Sequence, residues 1–259
     1  MFANVFSAQQ IKSLRNPVLW IELLLVAGVA ALVTVLLNTV GDLAEDRSGS
    51  AAGQVIDMVK TMSGLGAALA VVLAGALMAQ EYSWRSLHLW LSMGVSRRTF
   101  LWTKFLSLLV PMALFFVTAA TITAAFAFAL MNDVPATFAG WEGELALALG
   151  AGLYSLLPYA ALAVFLAVLG RSMLVAVGGG LGLTLIAENL FVQLANLIGG
   201  GAVEVIRYLP SMLSQGLLES DASLVEPLGS GASAGLIGLY TLVLLAAATY
   251  LLRRQDLSD

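Results

Sequence analysis

Four polar residues recur at helical spacing in the first half of the chain. Glu81, Arg85, His88 and Ser92 are four, three and four residues apart, which places them on one face of an α-helix. The other positions of the segment are mostly large and apolar: Tyr82, Trp84, Leu87, Leu89, Trp90, Leu91 and Met93. A helix with so thin a polar face is typical of a boundary, either as a loop at the lipid headgroups or as a surface for a protein partner.

A second polar pair lies inside an apolar stretch in the second half. Glu188 and Asn189 follow 16 uncharged residues after Arg171. An ionisable group at mid-depth in a bilayer is costly unless it faces protein or water, so Glu188 could line a translocation path, carry a proton or hydrogen bond a neighbouring helix in its neutral form. Alternatively, the span ends early, Glu188 marks the outer interface, and residues 190–203 form a re-entrant piece.

Several kinds of chemistry are excluded by missing residue types. The sequence has no cysteine, which removes disulfides, thiolate metal sites and a cysteine nucleophile. None of its three lysines follows a glycine, so it has no phosphate-binding loop ending in Gly-Lys-Ser/Thr. Residues 231–235 match the letters of a nucleophile elbow around Ser233, but the single histidine, His88, is predicted on the other side of the membrane. We expect no catalytic residue, metal or cofactor on this chain.

The elements that position these residues are membrane helices. Of the 259 residues, 60% are hydrophobic and 11% are charged, against about 25% charged in soluble domains. A long uncharged segment can cross a bilayer only as a helix, because lipid offers no partner to its backbone groups. The sequence predicts an all-α polytopic membrane protein with one domain over 1–259. Its interfacial N-terminal helix covers 1–16, and its six spans cover about 17–40, 59–79, 101–131, 144–169, 173–198 and 231–252.

Basic residues predict the orientation. The N-terminus, the loop after the second span, the link at Arg171 and the C-terminal tail carry nine of the twelve Lys and Arg residues. The opposite loops carry only Arg47, Lys60 and Arg207. Because cytoplasmic loops are enriched in basic residues, both termini are predicted to be cytoplasmic in a multi-pass protein of the cell membrane. The net charge of −4 argues against a nucleic-acid partner. The partner that the composition predicts is the lipid bilayer around the spans.

The segment at 81–98 resembles that of a known family. It runs from Glu81 through a hydroxyl residue and an apolar stretch to a Ser-Arg pair at 96–97, and Lys104 opens the third span. This order is similar to that of ABC type-2 transporter permeases, although Ser86 stands where Thr is common and Gly94 where Pro is common. The basic segment before Pro17, the six spans and Tyr-Leu-Pro at 208–210 also resemble the family, the last resembling its outer re-entrant region within 199–230.

The resemblance implies a division of labour between two kinds of subunit. Residues 81–98 would form a cytoplasmic coupling helix that docks on a separate ABC ATPase, which holds ATP and Mg²⁺. Glu81 would begin this helix, and Arg85, His88 and Ser92 would belong to its ATPase-coupling surface. Arg97 and Lys104 would fix its return to the membrane.

Three hypotheses follow for function. The first is the permease subunit of an ABC exporter that works with a second permease copy, either identical or related. The second is an ion-coupled secondary transporter that uses Glu188, although that class usually shows matching broken helices in both halves. The third is a membrane scaffold or immunity subunit that binds a partner without moving a substrate.

Overall fold

A computed structural model describes residues 2–43, 50–84, 86–131, 141–199, 201–218 and 227–255. The side chains of residues 40–43, 131 and 196 lie outside the described part. Of the described residues, 91% are helical and none forms a strand. The predicted all-α membrane fold is confirmed.

Twelve α-helices and two π-helical segments make up the described chain. The first six are α1 (Phe2–Leu14), α2 (Pro17–Leu43), α3 (Ala51–Ser83), α4 (Ser86–Ser92), α5 (Arg97–Ser107) and α6 (Leu109–Met131). The next two are α7 (Glu142–Ser155) and α8 (Leu157–Gly170), followed by the π-helical segments Leu174–Gly179 and Gly182–Ala187. The last four are α9 (Glu188–Ile198), α10 (Gly201–Ile206), α11 (Pro210–Leu218) and α12 (Ser230–Arg254).

Six helical stretches of the described chain are long and apolar enough to cross a membrane, in agreement with the predicted number. Spans 1 to 6 are Pro17–Thr39, Ala51–Ser83, Arg97–Leu130, Glu142–Gly170, Leu174–Ala195 and Ser230–Arg254. Span 2 begins eight residues before the predicted start at 59 and reaches 33 residues. The predicted outer loop at 199–230 contains α10 and α11.

Local sequence explains where the first two spans begin. The side-chain oxygen of Asn16 accepts a hydrogen bond from the N–H of Val18 at 2.9 Å, and Pro17 occupies the first helical position. Proline suits that position because its missing N–H would have no partner within the helix. The hydroxyl of Ser50 likewise accepts from the N–H of Gly53 at 3.1 Å and caps α3.

Two spans are interrupted close to a proline. Span 3 breaks at Leu108, three residues before Pro111, and span 4 breaks at Leu156, two residues before Pro158. A proline removes one backbone hydrogen bond and its ring crowds the preceding turn. Each span is therefore two helices that pack as separate pieces.

Spans 2 and 4 form the centre of the bundle. In the most apolar 18-residue window of each, 72% and 61% of the residues are buried. The corresponding shares are 28% for span 1 and 17% for span 5, so these two spans lie at the periphery. Span 5 approaches span 2 closely, because a β-carbon added at Gly180 would lie 2.5 Å from Cγ1 of Val71.

One end of the bundle gathers α1, α4, the start of α5 and the last turn of α12. We call it the basic end, because it carries Lys12, Arg15, Arg97, Arg98, Lys104, Arg253 and Arg254. Helices α1 and α12 both contact α5 there, and α4 packs against α3. The far end contains α10, α11 and the beginning of α12.

Candidate functional site

Glu81 is the centre of a buried charge cluster at the basic end. It lies in the last turn of α3, and its side chain has no exposed surface. Its Oε1 accepts from Nζ of Lys104 at 2.6 Å and from Nζ of Lys12 at 2.7 Å. Its Oε2 accepts from the hydroxyl of Ser86. Both carboxylate oxygens are therefore engaged.

This cluster joins four separate elements. Lys12 comes from α1, Glu81 from α3, Ser86 from α4 and Lys104 from α5. A fifth residue, Gln9 of α1, accepts a second hydrogen bond from Nζ of Lys104 at 2.9 Å. We call these five residues the Glu81 junction. Each element is fixed relative to the others through one carboxylate.

The electrostatics of the junction make it sensitive to change. Lys104 is 1% exposed, whereas Lys12 is 25% exposed and its ammonium lies 5.2 Å from the centre of the Trp84 ring. Two ammonium groups thus share one carboxylate in a site that water hardly reaches. Removing one partner from a buried ion pair leaves the other charge without compensation, which costs about 3–5 kcal/mol. Loss of Glu81 would strand Lys104, because the long side chain of Lys12 can still reach water.

The start of span 1 is tied to the same place. The side-chain amide of Asn16 donates to Oε1 of Gln80 at 2.9 Å while its own oxygen caps α2. Gln80 directly precedes Glu81 in α3. Gln80 contacts Asn16 at the start of α2, and Glu81 contacts Lys12 of α1, so two consecutive residues of α3 bind both sides of the turn between α1 and α2. The end of α3 therefore organises the whole N-terminal region.

Helix α4 and the residues that flank it, Trp84 and Met93, present a mixed surface at the basic end. His88 and Ser92 are exposed, as are the apolar side chains of Trp84, Leu89 and Met93, which are 65%, 61% and 54% exposed. Leu87 is 2% exposed and anchors the other face of α4 to the core. Arg85, a further predicted member of this surface, lies outside the described residues.

The helix predicted from the spacing of residues 81–92 is divided in two. Helix α3 ends at Ser83, Trp84 adopts a turn conformation, and α4 begins at Ser86. Because the helical register is broken there, Glu81 points into the protein and does not share the exposed face of His88 and Ser92. The spacing predicts Glu81, His88 and Ser92 on one helix face, whereas the structure buries Glu81 and exposes His88 and Ser92.

The return from α4 to α5 depends on two local features. Gly94 has φ of 80°, a left-handed conformation that glycine adopts readily and proline cannot adopt. The hydroxyl of Ser96 then accepts from the N–H of Thr99 at 3.1 Å and caps α5. Val95, between them, is buried.

Arg97 and Lys104 hold different partners. Nη1 of Arg97 donates to the backbone oxygens of Leu252, Arg253 and Gln255 at 2.8, 3.0 and 2.7 Å. A cation at the C-terminus of a helix satisfies its last carbonyl groups and complements its dipole. Arg97 thereby fixes the end of span 6, whereas Lys104 belongs to the Glu81 junction.

Gln255 completes this connection and is absent from the predicted site. Its side-chain oxygen accepts from the hydroxyl of Tyr82 at 3.2 Å, and its side-chain nitrogen donates to the backbone oxygen of Val168 at 2.6 Å. Gln9 is a second such residue. Neither belongs to a motif or to a spacing that predicts a role, and each is an uncharged polar residue.

Glu188 lies away from the Glu81 junction, at the start of α9. Its Oε2 accepts from the backbone N–H of Ser211 at 3.3 Å and from the hydroxyl of Tyr159 at 3.4 Å. The N–H of Ser211 is in the first turn of α11 and has no partner within that helix. Glu188 therefore connects span 5 to span 4 and to α11.

Asn189 faces outward beside it. Its side chain is exposed, and its nitrogen donates to the backbone oxygen of Leu185, one turn earlier, at 2.6 Å. This bond uses only part of the hydrogen-bonding capacity of the amide. The structure places Glu188 and Asn189 side by side in sequence but in different surroundings.

Comparison with known proteins supports the sequence resemblance. The family described as ABC-2 family transporter protein matches residues 8–188. The match covers more than half of the chain and includes all five residues of the Glu81 junction. No curated protein matches the chain closely enough to count as a relative. The chain belongs to the ABC-2 family of transporter proteins.

Proposed function

We propose that this permease is the membrane subunit of an ABC exporter, and that ATP is hydrolysed with Mg²⁺ on a separate cytoplasmic ATPase. In this proposal the basic end faces the cytoplasm, with both termini on that side of the cell membrane. Membership of the ABC-2 family and the excess of basic residues at this end support it. The Glu81 junction is the observation that carries the proposed coupling.

The surface that would meet the ATPase is the exposed side of α4 together with its flanking residues. It combines the apolar side chains of Trp84, Leu89 and Met93 with the polar groups of His88 and Ser92. Protein interfaces commonly contain such aromatic and methionine side chains within a polar rim. This mixture fits a protein partner on α4.

Motion of α4 would pass into the membrane through Glu81. Ser86 begins α4 and donates to the carboxylate that also holds Lys104 of span 3 and Lys12 of α1. Because two of these contacts are ion pairs and the third is a hydrogen bond to the same carboxylate, a displacement of α4 would change the positions of span 2 and span 3 together. ATP binding would close two ATPase subunits, and the junction would convert that closure into a shift of the spans.

A second permease copy would pack on span 5. This is the least buried span, a β-carbon at Gly182 would meet nothing within 4 Å, and Asn189 exposes a polar amide on its surface. Lipid offers no partner for an amide, whereas small residues let two helices approach. We propose that Asn189 lies at the interface between copies, in a homodimer or with a related chain.

The other two hypotheses receive less support. The contacts of Glu188 with Ser211 and Tyr159 suit a positioning residue of the outer helices rather than an ion site. A scaffold or immunity subunit would have no need of the permease family pattern that spans 8–188. We therefore favour the exporter subunit over both.

Affinity purification from the native membrane tests the coupling. The tagged wild-type chain is expected to recover an ABC ATPase, and Leu89→Asp is expected to lose it, because a carboxylate would be buried against the partner. Val205→Asp is the matched control: its side chain is 51% exposed on α10 at the far end, and it should retain the ATPase. A wild-type chain that recovers no ATPase while other membrane complexes survive would refute the proposal.

A further inference from the structure

Two cavities open at the basic end beside α5, the first towards α1 and the second towards α12. One has a volume of about 320 Å³ and is lined by Phe2, Arg98, Thr99 and Trp102. The other has a volume of about 260 Å³ and is lined by Arg98, Trp102, Ala246, Thr249, Tyr250 and Arg253. The two cavities share Arg98 and Trp102, and we call the second one, between α5 and α12, the Arg98 groove. None of its residues belongs to the Glu81 junction.

The two arginines of the groove have no protein partner in the described part of the chain. The guanidinium groups of Arg98 and Arg253 are exposed, and neither forms an ion pair or side-chain hydrogen bond there. Their sequence neighbours differ, because Arg97 donates to three backbone carbonyl groups and Arg254 lies 4.5 Å from the centre of the Tyr250 ring. Guanidinium groups bind phosphate oxygens well, so the groove presents two such groups to an anion.

The walls of the groove become apolar with distance from these charges. On α12, Ala246 and Tyr250 precede Arg253 by seven and three residues, which puts all three on one helix face. On α5, Trp102 follows Arg98 by four residues and lies on the same face as it. On both α5 and α12, the groove therefore has an arginine at the end of the helix and aromatic or aliphatic side chains one or two turns further into the span.

We propose that the Arg98 groove binds an anionic glycerophospholipid, with its phosphate between Arg98 and Arg253 and an acyl chain along Trp102, Tyr250 and Ala246. A free phosphate would use the two arginines but leave the apolar walls uncovered. With the orientation given under Proposed function, the groove opens to the inner leaflet, where anionic lipids are concentrated. The bound lipid would hold the ends of span 3 and span 6 together beside the carbonyl contacts of Arg97.

Native mass spectrometry of the purified permease, without an ATPase, tests this proposal. The protein in detergent is titrated with phosphatidylglycerol, with phosphatidylcholine of the same acyl chains, and with glycerol phosphate as the free anion. We expect phosphatidylglycerol to be retained and the other two to be retained weakly. Because no ATPase takes part, the result is independent of the coupling proposed for α4.

Four variants separate this site from general attraction to a charged surface. Arg98→Gln and Arg253→Gln should each weaken phosphatidylglycerol binding about five-fold. Ala246→Phe should also weaken it by filling the groove without any change of charge. Arg15→Gln, which removes an exposed arginine of the same end outside the groove, should leave it unchanged. Equal weakening by Arg15→Gln, full binding to Ala246→Phe, or equal retention of phosphatidylcholine or glycerol phosphate would overturn the proposal.

Discussion

The basic end and the far end of the bundle each contain a carboxylate that connects three or more elements, but by different interactions. At the basic end, Glu81 accepts from two ammonium groups at 2.6 and 2.7 Å, and its side chain is fully buried. At the far end, Glu188 is half-buried and accepts from a tyrosine hydroxyl and a backbone N–H at 3.4 and 3.3 Å. Hydrogen bonds between two charged groups are shorter and stronger than those with one neutral partner.

This difference suits two mechanical roles. In the proposed coupling, a stiff connection at Glu81 would transmit a displacement of α4 to the spans. In the same proposal, a weaker connection at Glu188 would let α11 move relative to spans 4 and 5 when the spans rearrange. Changes at the two ends should therefore differ both in their cost to stability and in their effect on transport.

The largest effect is expected for Glu81→Leu. This change leaves Lys104 buried without a counter-charge, and we expect the folded state to lose about 3–5 kcal/mol. Thermal unfolding in detergent and ATP-dependent transport in vesicles should both show the loss. Glu204→Leu is the control, since Glu204 is exposed on α10 and its loss should cost less than about 1 kcal/mol. Equal stability of the two variants would contradict a charge cluster that holds the basic end.

A double variant separates stability from coupling. Glu81→Leu combined with Lys104→Met replaces the buried pair by apolar side chains, and such replacements are often neutral for stability. We expect unfolding close to that of the wild type but no ATP-dependent transport, because Ser86 and Lys12 have lost their common partner. Normal transport by the double variant would show that coupling does not pass through Glu81.

The next largest effect is expected for Arg97→Gln. The variant loses charged hydrogen bonds to the carbonyl groups at the end of α12, at a cost of about 2 kcal/mol. Hydrogen exchange should become faster in the last turns of α12 and, through Gln255, beside Tyr82. Arg15→Gln removes an exposed arginine of the same end and should leave both regions unchanged. Unaltered exchange in Arg97→Gln would mean that the carbonyl contacts do not fix span 6.

The six spans follow from the sequence because each rests on composition over about 20 residues. The start of α2 at Pro17 can also be predicted from the sequence, because Asn16 and Pro17 act there through local backbone geometry. The division at Trp84 is different. Nothing local ends a helix between Ser83 and Ser86, and packing of Leu87 and of the Ser86 hydroxyl against distant groups decides it.

For the site, sequence reasoning identifies Glu81 and Lys104 but gives each a separate task. Their pairing spans 23 residues and depends on the angle between α3 and α5, which periodicity does not contain. The roles of Gln9 and Gln255 are missed for the same reason, because each residue hydrogen bonds to helices that are distant in the sequence. The π-helical segments of span 5 are also absent from the prediction, and the close approach of Gly180, which lies between them, to Val71 of span 2 is a contact between distant parts of the chain.

The smallest effect is expected for Glu188→Gln, because the amide oxygen can still accept from the N–H of Ser211. We expect a stability loss of about 1 kcal/mol or less and near-normal ATP-dependent transport in vesicles. Glu188→Leu, which keeps no acceptor, should cost more and should speed hydrogen exchange at the first turn of α11. If Glu188→Gln abolished transport at full membrane abundance and unchanged stability, Glu188 would line the translocation path, and the far end would be more than a weak hinge.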